Sequence, residues 1–310
     1  MEVFYDIDTY SPTPCAVCVG VFDGLHLGHR ALISQLADEA RRRGLASVIV
    51  TFDPHPRIVL SKGNDRVGLL TTTAERVELF RSTGVDRVVV IPFTREFSDL
   101  TARQFISVWM RGRLDARFAL MGYNHHFGSD DVDKEDYEAL AASEGLEARH
   151  ASAFMLPGGV KVSSSDVRRA LSEGDVAGAS RLLGRDYSFR GTVVHGDAIG
   201  RSIGIRTANV MPADKAKLIP ADGVYAGLVS VDGAEPMRAV VNVGTRPTVG
   251  GRDRRVEAHI IGFDGDVYGR EAVISFHDRL RGEMMFEDLG ALASQIRDDV
   301  RKASLSFENR

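Results

Sequence analysis

The fold is decided by residues Gly20–His29, which read Gly-Val-Phe-Asp-Gly-Leu-His-Leu-Gly-His. An apolar run, Ala16–Val19, precedes this stretch, and an amphipathic run that begins at Ala31 follows it. That order predicts a strand, a glycine-rich turn and a helix. The turn places His26 and His29 at the helix N-terminus, where unpaired N–H groups and a partial positive charge favour a phosphate.

The spacing of the two histidines indicates a class of reaction. His-x-Gly-His on a strand–turn–helix is typical of nucleotidyltransferases, which direct an attack on the α-phosphate of a nucleotide and release pyrophosphate. Two imidazoles beside the backbone N–H groups can donate hydrogen bonds to phosphate oxygens as negative charge builds on them. Gly28, between the histidines, lets a phosphate approach the backbone closely. The alternative interpretation is a capped helix start with two solvated histidines.

Composition sets the broad class of the protein. The chain has 310 residues, which suits two domains, and its 44% hydrophobic and 26% charged residues are ordinary for a soluble globular protein. A net charge of −4 gives no electrostatic case for nucleic acid as a partner. No apolar run is long enough to span a bilayer, and the acidic N-terminus lacks the basic region of a secretory signal. We therefore expect a cytoplasmic protein with no membrane partner.

The two cysteines, Cys15 and Cys18, have the spacing of a redox or zinc motif. A zinc site would need a second pair of ligands at matching spacing, and a redox motif would begin a helix rather than lie in a strand. We therefore expect structural thiols in a buried strand.

The first half of the chain alternates strands with amphipathic helices, which is typical of parallel βαβ units. Further strands are predicted at Ser47–Thr51, Arg87–Ile91 and Phe118–Met121. Ligands of such sheets bind beyond the carboxyl ends of the strands. Three polar turns should meet at that edge, namely the histidine turn, Thr51–Pro56 and Gly122–Gly128.

The pattern changes after a predicted helix at Asp166–Leu183, and we place the domain boundary there, giving domains 1–186 and 187–310. Short strands separated by glycine turns predict an antiparallel barrel, followed by a helix at about Phe286–Ala303. The predicted barrel strands include Gly191–His195, Gly223–Val231, Arg238–Val243, Glu257–Phe263 and Glu271–Phe276.

A second glycine-rich stretch runs from Gly196 to Asn209 and reads Gly-Asp-Ala-Ile-Gly-Arg-Ser-Ile-Gly-Ile-Arg-Thr-Ala-Asn. Its glycines suit a loop that binds a polyphosphate through backbone N–H groups. Thr207 and Asn209 would point to one face of an extended segment, and their oxygens are hard ligands suited to Mg²⁺. The alternative is a glycine-rich turn between two barrel strands.

Two other features of the second half are ambiguous by themselves. Glu257 begins a predicted strand and could accept a proton from a substrate hydroxyl, although its spacing alone favours a solvated carboxylate at a strand edge. Asn242–Thr248 is a polar segment after a strand, which by itself could be a simple turn.

Taken together, these segments resemble the bacterial bifunctional riboflavin kinase/FAD synthetase family. The resemblance covers nearly the whole chain, and Val162–Arg168 is similar to the family's Ser-Ser-Thr-x-Ile-Arg motif. It implies an α/β protein in which a Rossmann-like nucleotidyltransferase domain with a parallel sheet precedes a riboflavin kinase-like antiparallel β-barrel with a C-terminal helix. The other matching segments are Gly20–His29, Thr51–Pro56, Leu70–Gly84, Pro92–Glu96, Gly122–Gly128, Gly196–Asn209, Gly223–Tyr225, Asn242–Thr248, Val256–Ile260 and Asp266–Gly269.

The resemblance implies two reactions. The barrel would phosphorylate riboflavin with MgATP to give FMN, and the N-terminal domain would transfer AMP from a second ATP to FMN, giving FAD and pyrophosphate. The expected partners are riboflavin, FMN and ATP, with Mg²⁺ as the cofactor. Whether the chain forms a homo-oligomer stays open.

The resemblance also implies roles for individual residues. His26 and His29 would stabilise the adenylyl transition state, Glu257 would be the general base of the kinase, and Thr207 and Asn209 would hold Mg²⁺. Flavin would contact Asn242, Arg246 and Thr248. ATP and phosphate groups would contact Gly20, Phe22, Asp23, Gly28, Asn124, Ser164, Ser165 and Arg168 in the first site, and Gly196, Gly200, Arg201 and Gly204 in the second.

The largest departure from the family is Arg206, which stands where the family has proline before Thr-Ala-Asn. Arginine removes the fixed backbone φ angle and adds a cation beside the expected metal site. Either it contacts a phosphate and kinase activity is retained in altered form, or it weakens the kinase and leaves an FAD synthetase. A third interpretation is a non-catalytic, flavin-binding regulatory protein.

Overall fold

The structure is a computed structural model that describes residues 1–61, 68–122, 127–130, 136–195, 205–248 and 251–308. For residues 246–248 and 251–253 it describes the backbone alone. The chain forms two compact units. The first comprises Met1–Val67 and Thr71–Ser163, and the second comprises Gly68–Leu70 and Ser164–Arg310.

The first unit is built on a six-stranded sheet in the order β1-β4-β3-β2-β5-β6. Every neighbouring pair of its strands is parallel, which confirms the predicted βαβ organisation. The strands are β1 (Glu2–Phe4), β2 (Cys15–Val19), β3 (Ala46–Asp53), β4 (Arg87–Pro92), β5 (Ala116–Met121) and β6 (Glu147–His150).

Helices cover the sheet. The first, α1, begins after His26 and ends at Gly44, whose left-handed φ of 64° lets its N–H bond Ala40 and Arg41 carbonyls. The helices of the first unit are α1 (Leu27–Arg43), α2 (Pro56–Leu60), α3 (Thr73–Arg81), α4 (Arg95–Ser98), α5 (Ala102–Gln104) and α6 (Asp136–Ser143), with a 3₁₀ turn at Ile7–Thr9, a π-helix at Phe105–Arg113 and a hairpin of β7 (Met155–Leu156) and β8 (Val160–Lys161).

The central strands are buried on both faces. Along β2, Val17 and Val19 face one apolar cluster while Ala16 and Cys18 face the other. Both cysteines are buried free thiols, as predicted. Burial raises the pKa of each thiol to about 12, so both stay protonated at neutral pH.

The second unit begins with two helices, α7 (Ser164–Glu173) and α8 (Val176–Leu183). The prediction of one continuous helix over Asp166–Leu183 is therefore wrong. Gly174 adopts a φ of 80° and ends α7, and the Asp175 side chain then caps α8 by accepting from the Gly178 N–H.

The predicted antiparallel barrel is confirmed, with six strands closed in the order β10-β13-β12-β11-β14-β9. One prediction within it is wrong, since Asn242–Thr248 is no turn but continues β12 in register with β13. The predicted C-terminal helix is confirmed, and it begins at Leu289, where Asp288 caps it. The elements are β9 (Tyr187–Val194), β10 (Ala208–Pro212), β11 (Gly223–Val231), β12 (Met237–Thr248), β13 (Gly251–Ile260), β14 (Glu271–Arg281) and α9 (Leu289–Ser306).

Helix α9 packs on the outer face of the barrel through Ala303, which joins a cluster with Val224 and Val240. Beside this cluster, Arg281 at the end of β14 makes an ion pair with Asp299 of α9, with Nη2 and Oδ2 2.9 Å apart. The pair therefore joins the helix to the barrel wall.

Candidate active sites

The histidine turn lies where the strand order of the first sheet reverses. Strands β3 and β4 lie on one side of β2, and β5 and β6 lie on the other. In open parallel sheets the crevice outside the carboxyl ends of the strands at such a reversal is the usual ligand-binding position. The stretch Gly20–His29 leaves the carboxyl end of β2 and enters α1 at this point.

The two histidine rings stack on each other. Their centroids are 3.6 Å apart with an angle of 16° between the ring planes. His26, only 5% exposed, is the N-cap of α1, and its Nδ1 accepts a hydrogen bond from the His29 N–H at 3.2 Å. A ring nitrogen that accepts carries no proton, so the neutral His26 ring carries its proton on Nε2.

Burial keeps His29 neutral. It lowers the pKa of His29 well below 6.5, and the neighbouring His26 and Arg76 lower that pKa further. The Nδ1 atom of His29 is buried and has no hydrogen-bond partner within the described part of the chain. The pair therefore presents two neutral imidazoles at the positive end of a helix.

A strained turn holds the pair in place. Phe22 and Leu25 both have positive φ angles, 53° and 38°, and both are buried. The Phe22 ring meets His29 edge-on, with their centroids 5.3 Å apart. A Cβ atom on Gly28 would approach the His26 ring to 3.2 Å, so the close stacking depends on glycine there.

Asp23 fixes the other side of the turn. This carboxylate is 3% exposed and accepts from the Thr71 backbone N–H at 2.8 Å and from the Thr71 hydroxyl at 3.1 Å. The hydroxyl in turn accepts from the Gly24 N–H at 3.0 Å. His55, from the predicted turn after β3, places Nε2 3.8 Å from Asp23 Oδ2. The two turns are therefore joined at the sheet edge.

A buried arginine lies beneath these turns. Arg76 of α3 donates from Nη2 to the Phe52 carbonyl at 2.8 Å and to Thr73 Oγ1 at 3.3 Å. Burial lowers the pKa of Arg76 below its ordinary value, while Asp23 and Asp53 oppose that shift. The arginine keeps a positive charge close to the proposed phosphate site.

Other predicted residues of the first site have mixed outcomes. Asn124 lies outside the described residues, as do the adjacent His125 and His126. Ser164 and Ser165 begin α7 in the second unit, and Arg168 on the same helix donates from Nε to the Gly68 carbonyl at 2.8 Å. Their participation in a site with the histidine pair stays a prediction.

In the barrel, three predicted residues lie in one row across adjacent strands. Asn209 of β10 is directly opposite Glu257 of β13, and Glu257 is directly opposite Asn242 of β12. Directly opposed residues of antiparallel strands point to the same face. Ala258, beside Glu257, belongs to the buried interior cluster, so the row lies on the outer face of the barrel.

Thr207 precedes β10 and lines a cavity of about 210 Å³. It and Asn209 are half-buried and flank the buried Ala208, which fits the prediction that both point to one side. The side chain of Arg206 reaches away along the cavity wall, and its Nη1 donates to the Asp264 carbonyl at 2.8 Å. The other lining residues are Ala208, Ala258, Ile260, Phe263, Gly265, Asp266, Val267 and Tyr268.

The remaining predicted residues of the second site are only partly described. Gly196, Gly200, Arg201 and Gly204 lie outside the described residues. Arg246 and Thr248 lie on β12, opposite Asp253 and Gly251, and their side chains are not described.

Comparison with known proteins identifies the family of the chain. The family model described as FAD synthetase matches residues 8–166, and the family model described as riboflavin kinase matches residues 183–307. A curated protein of Escherichia coli K12, named bifunctional riboflavin kinase/FMN adenylyltransferase, is 36% identical over 99% of this chain and 98% of its own length. The chain belongs to this family.

Other similar proteins support the membership. The Bacillus subtilis protein of the same name is 32% identical over 94% of this chain and 92% of its own length. A solved structure from Streptococcus pneumoniae, titled a macrolide-efflux protein, has a TM-score of 0.89 and is 30% identical, covering 97% of this chain and 98% of that one. Its title names a different activity from the curated relatives.

None of the helices in the described part of the chain has both the length and the apolar content to cross a membrane. Within the same ranges, no group of three or more His, Cys, Asp or Glu side chains could hold a metal ion.

Three residues that contact the first site were not predicted as site residues: His55, Thr71 and Arg76. His55 and Arg76 lie in segments that match the family, but nothing in the spacing reveals which of their neighbours they contact. The position of Thr71 just before a helix could have been read from the sequence, because Thr72 and Glu75 form the capping box at the start of α3.

Proposed function

We propose that this member of the family phosphorylates riboflavin to FMN with ATP, and then transfers AMP from a second ATP to FMN, giving FAD and pyrophosphate. The observation that carries the proposal is that each unit has its own cluster of side chains suited to phosphate chemistry. The first has the stacked histidines at a helix N-terminus, and the second has the row Asn209, Glu257 and Asn242.

In the proposed adenylyl transfer, a phosphate oxygen of FMN attacks the α-phosphorus of ATP. The bond from that phosphorus to the oxygen bridging to the β-phosphate breaks, and pyrophosphate leaves. Neutral His26 would donate from Nε2 to an α-phosphate oxygen as its charge grows, beside neutral His29 and the positive end of α1. No covalent enzyme intermediate is needed, because the FMN phosphate is the nucleophile.

The surrounding residues have supporting roles in this proposal. Gly20, Phe22 and Gly28 shape the turn, and Asp23 fixes it through Thr71. Arg168 would neutralise phosphate charge. Ser164, Ser165 and Asn124 would complete the site for the nucleotide and the FMN phosphate.

In the proposed kinase reaction, Glu257 accepts the proton of the riboflavin 5′-hydroxyl while that oxygen attacks the γ-phosphorus of ATP and ADP leaves. Asn242, opposite Glu257, would orient the flavin with Arg246 and Thr248. The loop with Gly196, Gly200, Arg201 and Gly204 would hold the phosphates.

The donor set beside Glu257 fits Mg²⁺, because Thr207 and Asn209 offer neutral oxygen ligands from one side of an extended segment. When bound, the ion would neutralise phosphate charge. The contribution of this chain would be to hold the ion next to Glu257, which lies directly opposite Asn209.

We assign the adenylyltransferase to residues 1–186 and the kinase to residues 187–310, and we place the enzyme in the cytoplasm. The Arg206 side chain bonds Asp264 on the cavity wall, which supports a kinase that is retained rather than lost.

The test is a chromatographic time course of purified protein with riboflavin and excess MgATP. We expect FMN first and FAD afterwards. Glu257→Gln should stop FMN formation while supplied FMN is still converted to FAD. His26→Ala should do the reverse and let FMN accumulate.

Two results would contradict the proposal. FAD formation from FMN alone, with no use of riboflavin, would mean an FAD synthetase with an impaired kinase. Flavin binding without turnover of either substrate would mean a regulatory binding protein.

A further inference from the structure

Arg206 joins the two walls of the barrel cavity. One wall is the segment Arg206–Ala208, which leads into β10, and the other is the turn Phe263–Tyr268, between β13 and β14. The guanidinium crosses between them, with Nη1 donating to the Asp264 carbonyl at 2.8 Å and lying 3.7 Å from Asp264 Oδ1.

The backbone of Arg206 is also held. His259 of β13 places Nδ1 2.8 Å from the Arg206 carbonyl oxygen. A carbonyl oxygen only accepts, so Nδ1 of His259 carries the proton in this contact. The segment before Thr207 is therefore held by two tertiary hydrogen bonds, at the position where the family has the fixed backbone angle of proline.

The turn Phe263–Tyr268, on the opposite wall of the cavity from Arg206, is held mainly at its two ends. Phe263 packs against the interior cluster and Val267 is buried, while Asp264, Gly265 and Asp266 between them are exposed. Arg206 reaches the exposed middle of this turn. A contact there fixes how far the turn lies from Thr207, and so the width of the cavity.

We infer that Arg206 is a positioning residue for ATP in the kinase site, acting by holding the Phe263–Tyr268 turn against the bound nucleotide. This inference rests on the proposed kinase function. At about 210 Å³ the cavity is smaller than the roughly 300–1,000 Å³ of pockets that enclose a whole drug-sized ligand, so it suits one part of the nucleotide beside Thr207.

The main-chain hydrogen bond carries this effect rather than the ion pair. The Arg206 and Asp264 side chains are 59% and 96% exposed, and exposed pairs contribute little. Loss of one positioning hydrogen bond should raise the KM for ATP about fivefold. The kcat should stay within about twofold, because Glu257 and Asn209 are held by strand pairing that Arg206 does not make.

The test measures KM and kcat for ATP in the riboflavin kinase reaction of the full chain. Arg206→Met removes the donors and keeps the length of the side chain, and it should raise the KM for ATP with little change in kcat. Arg206→Lys keeps one donor group and should give an intermediate KM. The matched control is Arg190→Met, which removes an exposed arginine of β9 that pairs with Glu271 at 3.0 Å on the same barrel and should leave both constants unchanged.

The conversion of FMN to FAD by the same preparations serves to normalise the amount of enzyme, because we assign that reaction to the first unit. An Arg206→Met enzyme with an unchanged KM, or with a loss confined to kcat, would overturn the inference while the kinase function stood. A wild-type chain that does not phosphorylate riboflavin would instead overturn the proposed function on which it rests.

Discussion

Replacing Arg281 should release helix α9 from the barrel. The guanidinium contacts both carboxylate oxygens of Asp299, from Nε at 3.2 and 3.1 Å and from Nη2 at 2.9 Å. Asp299 is 1% exposed, and apart from Arg281 it accepts from Gln295 at 3.0 Å. Arg281→Met therefore leaves a buried carboxylate with one neutral donor among its described partners.

The size of the effect follows from that burial. Removing one partner of a buried ion pair costs about 3–5 kcal/mol, and the remaining bond from Gln295 puts this pair near the lower end. A loss of about 3 kcal/mol raises the equilibrium constant for undocking of α9 by about a hundredfold. Replacing both residues, as Arg281→Met with Asp299→Leu, should recover most of the loss because no buried charge remains.

Hydrogen–deuterium exchange of the full chain, read by mass spectrometry on peptides that cover Leu289–Ser306, measures this undocking directly. The matched control is Arg301→Met on the same helix. Arg301 pairs with Asp298 at 3.1 Å, but the two side chains are 70% and 52% exposed, so its loss should cost less than about 1 kcal/mol.

Two outcomes would refute the reasoning. Equal exchange rates in the Arg281→Met and Arg301→Met proteins would show that the buried pair does not hold the helix. A double variant that exchanges as fast as Arg281→Met would show that the loss of docking free energy does not come from the unpaired carboxylate of Asp299.

Three further predictions concern the first unit. Because burial lowers the pKa of His29 below 6.5, the unfolded state binds more protons than the folded state, and the unfolding free energy should fall as pH drops below about 6.5, by up to ~1.4 kcal/mol per pH unit. His29→Asn should reduce this pH dependence in denaturant titrations followed by Trp109 fluorescence. The same pH dependence in the variant and the wild type would contradict the assignment of the effect to His29. Gly28→Ala, whose Cβ would lie 3.2 Å from the His26 ring, should lower kcat for FAD formation by about ten- to a hundredfold, and an unchanged kcat would show that the ring position is unimportant. Thr71→Val should lower the unfolding free energy by about 1–3 kcal/mol in the same titrations, whereas Thr71→Ser should be near wild type.

The parallel sheet was predictable because its inner strands are short apolar runs between amphipathic segments. Its edges were not. Strand β1 has three residues, Glu2–Phe4, and β6 reads Glu-Ala-Arg-His, so neither has the apolar signal of a buried strand. Both are identified only by pairing with a neighbour, β1 with β4 and β6 with β5. Edge strands are half-solvated, so their sequences are weakly constrained.

The same limit applies to the first site. His26, Gly28 and His29 form one local motif, and a motif of four residues on a strand–turn–helix predicts its own geometry. The bond from Thr71 to Asp23 joins residues 48 positions apart, and its existence depends on how α3 packs beside β3. Sequence spacing contains no information on such a contact, although it determines whether the histidine turn is rigid.

The position of Glu257 shows how the apolar pattern of a barrel strand alone can place the carboxylate that we propose as the general base. Val256 and Ala258, on either side of it, are buried in the interior cluster. A shift of one residue in the pairing of β13 would bring the carboxylate into that interior and expose both apolar neighbours. Burying an unpaired carboxylate costs several kcal/mol, so this alternative register is excluded energetically. The residues opposite Glu257 are then fixed as Asn209 and Asn242, and the outer-face row that the proposed kinase needs follows from which residues must be inside.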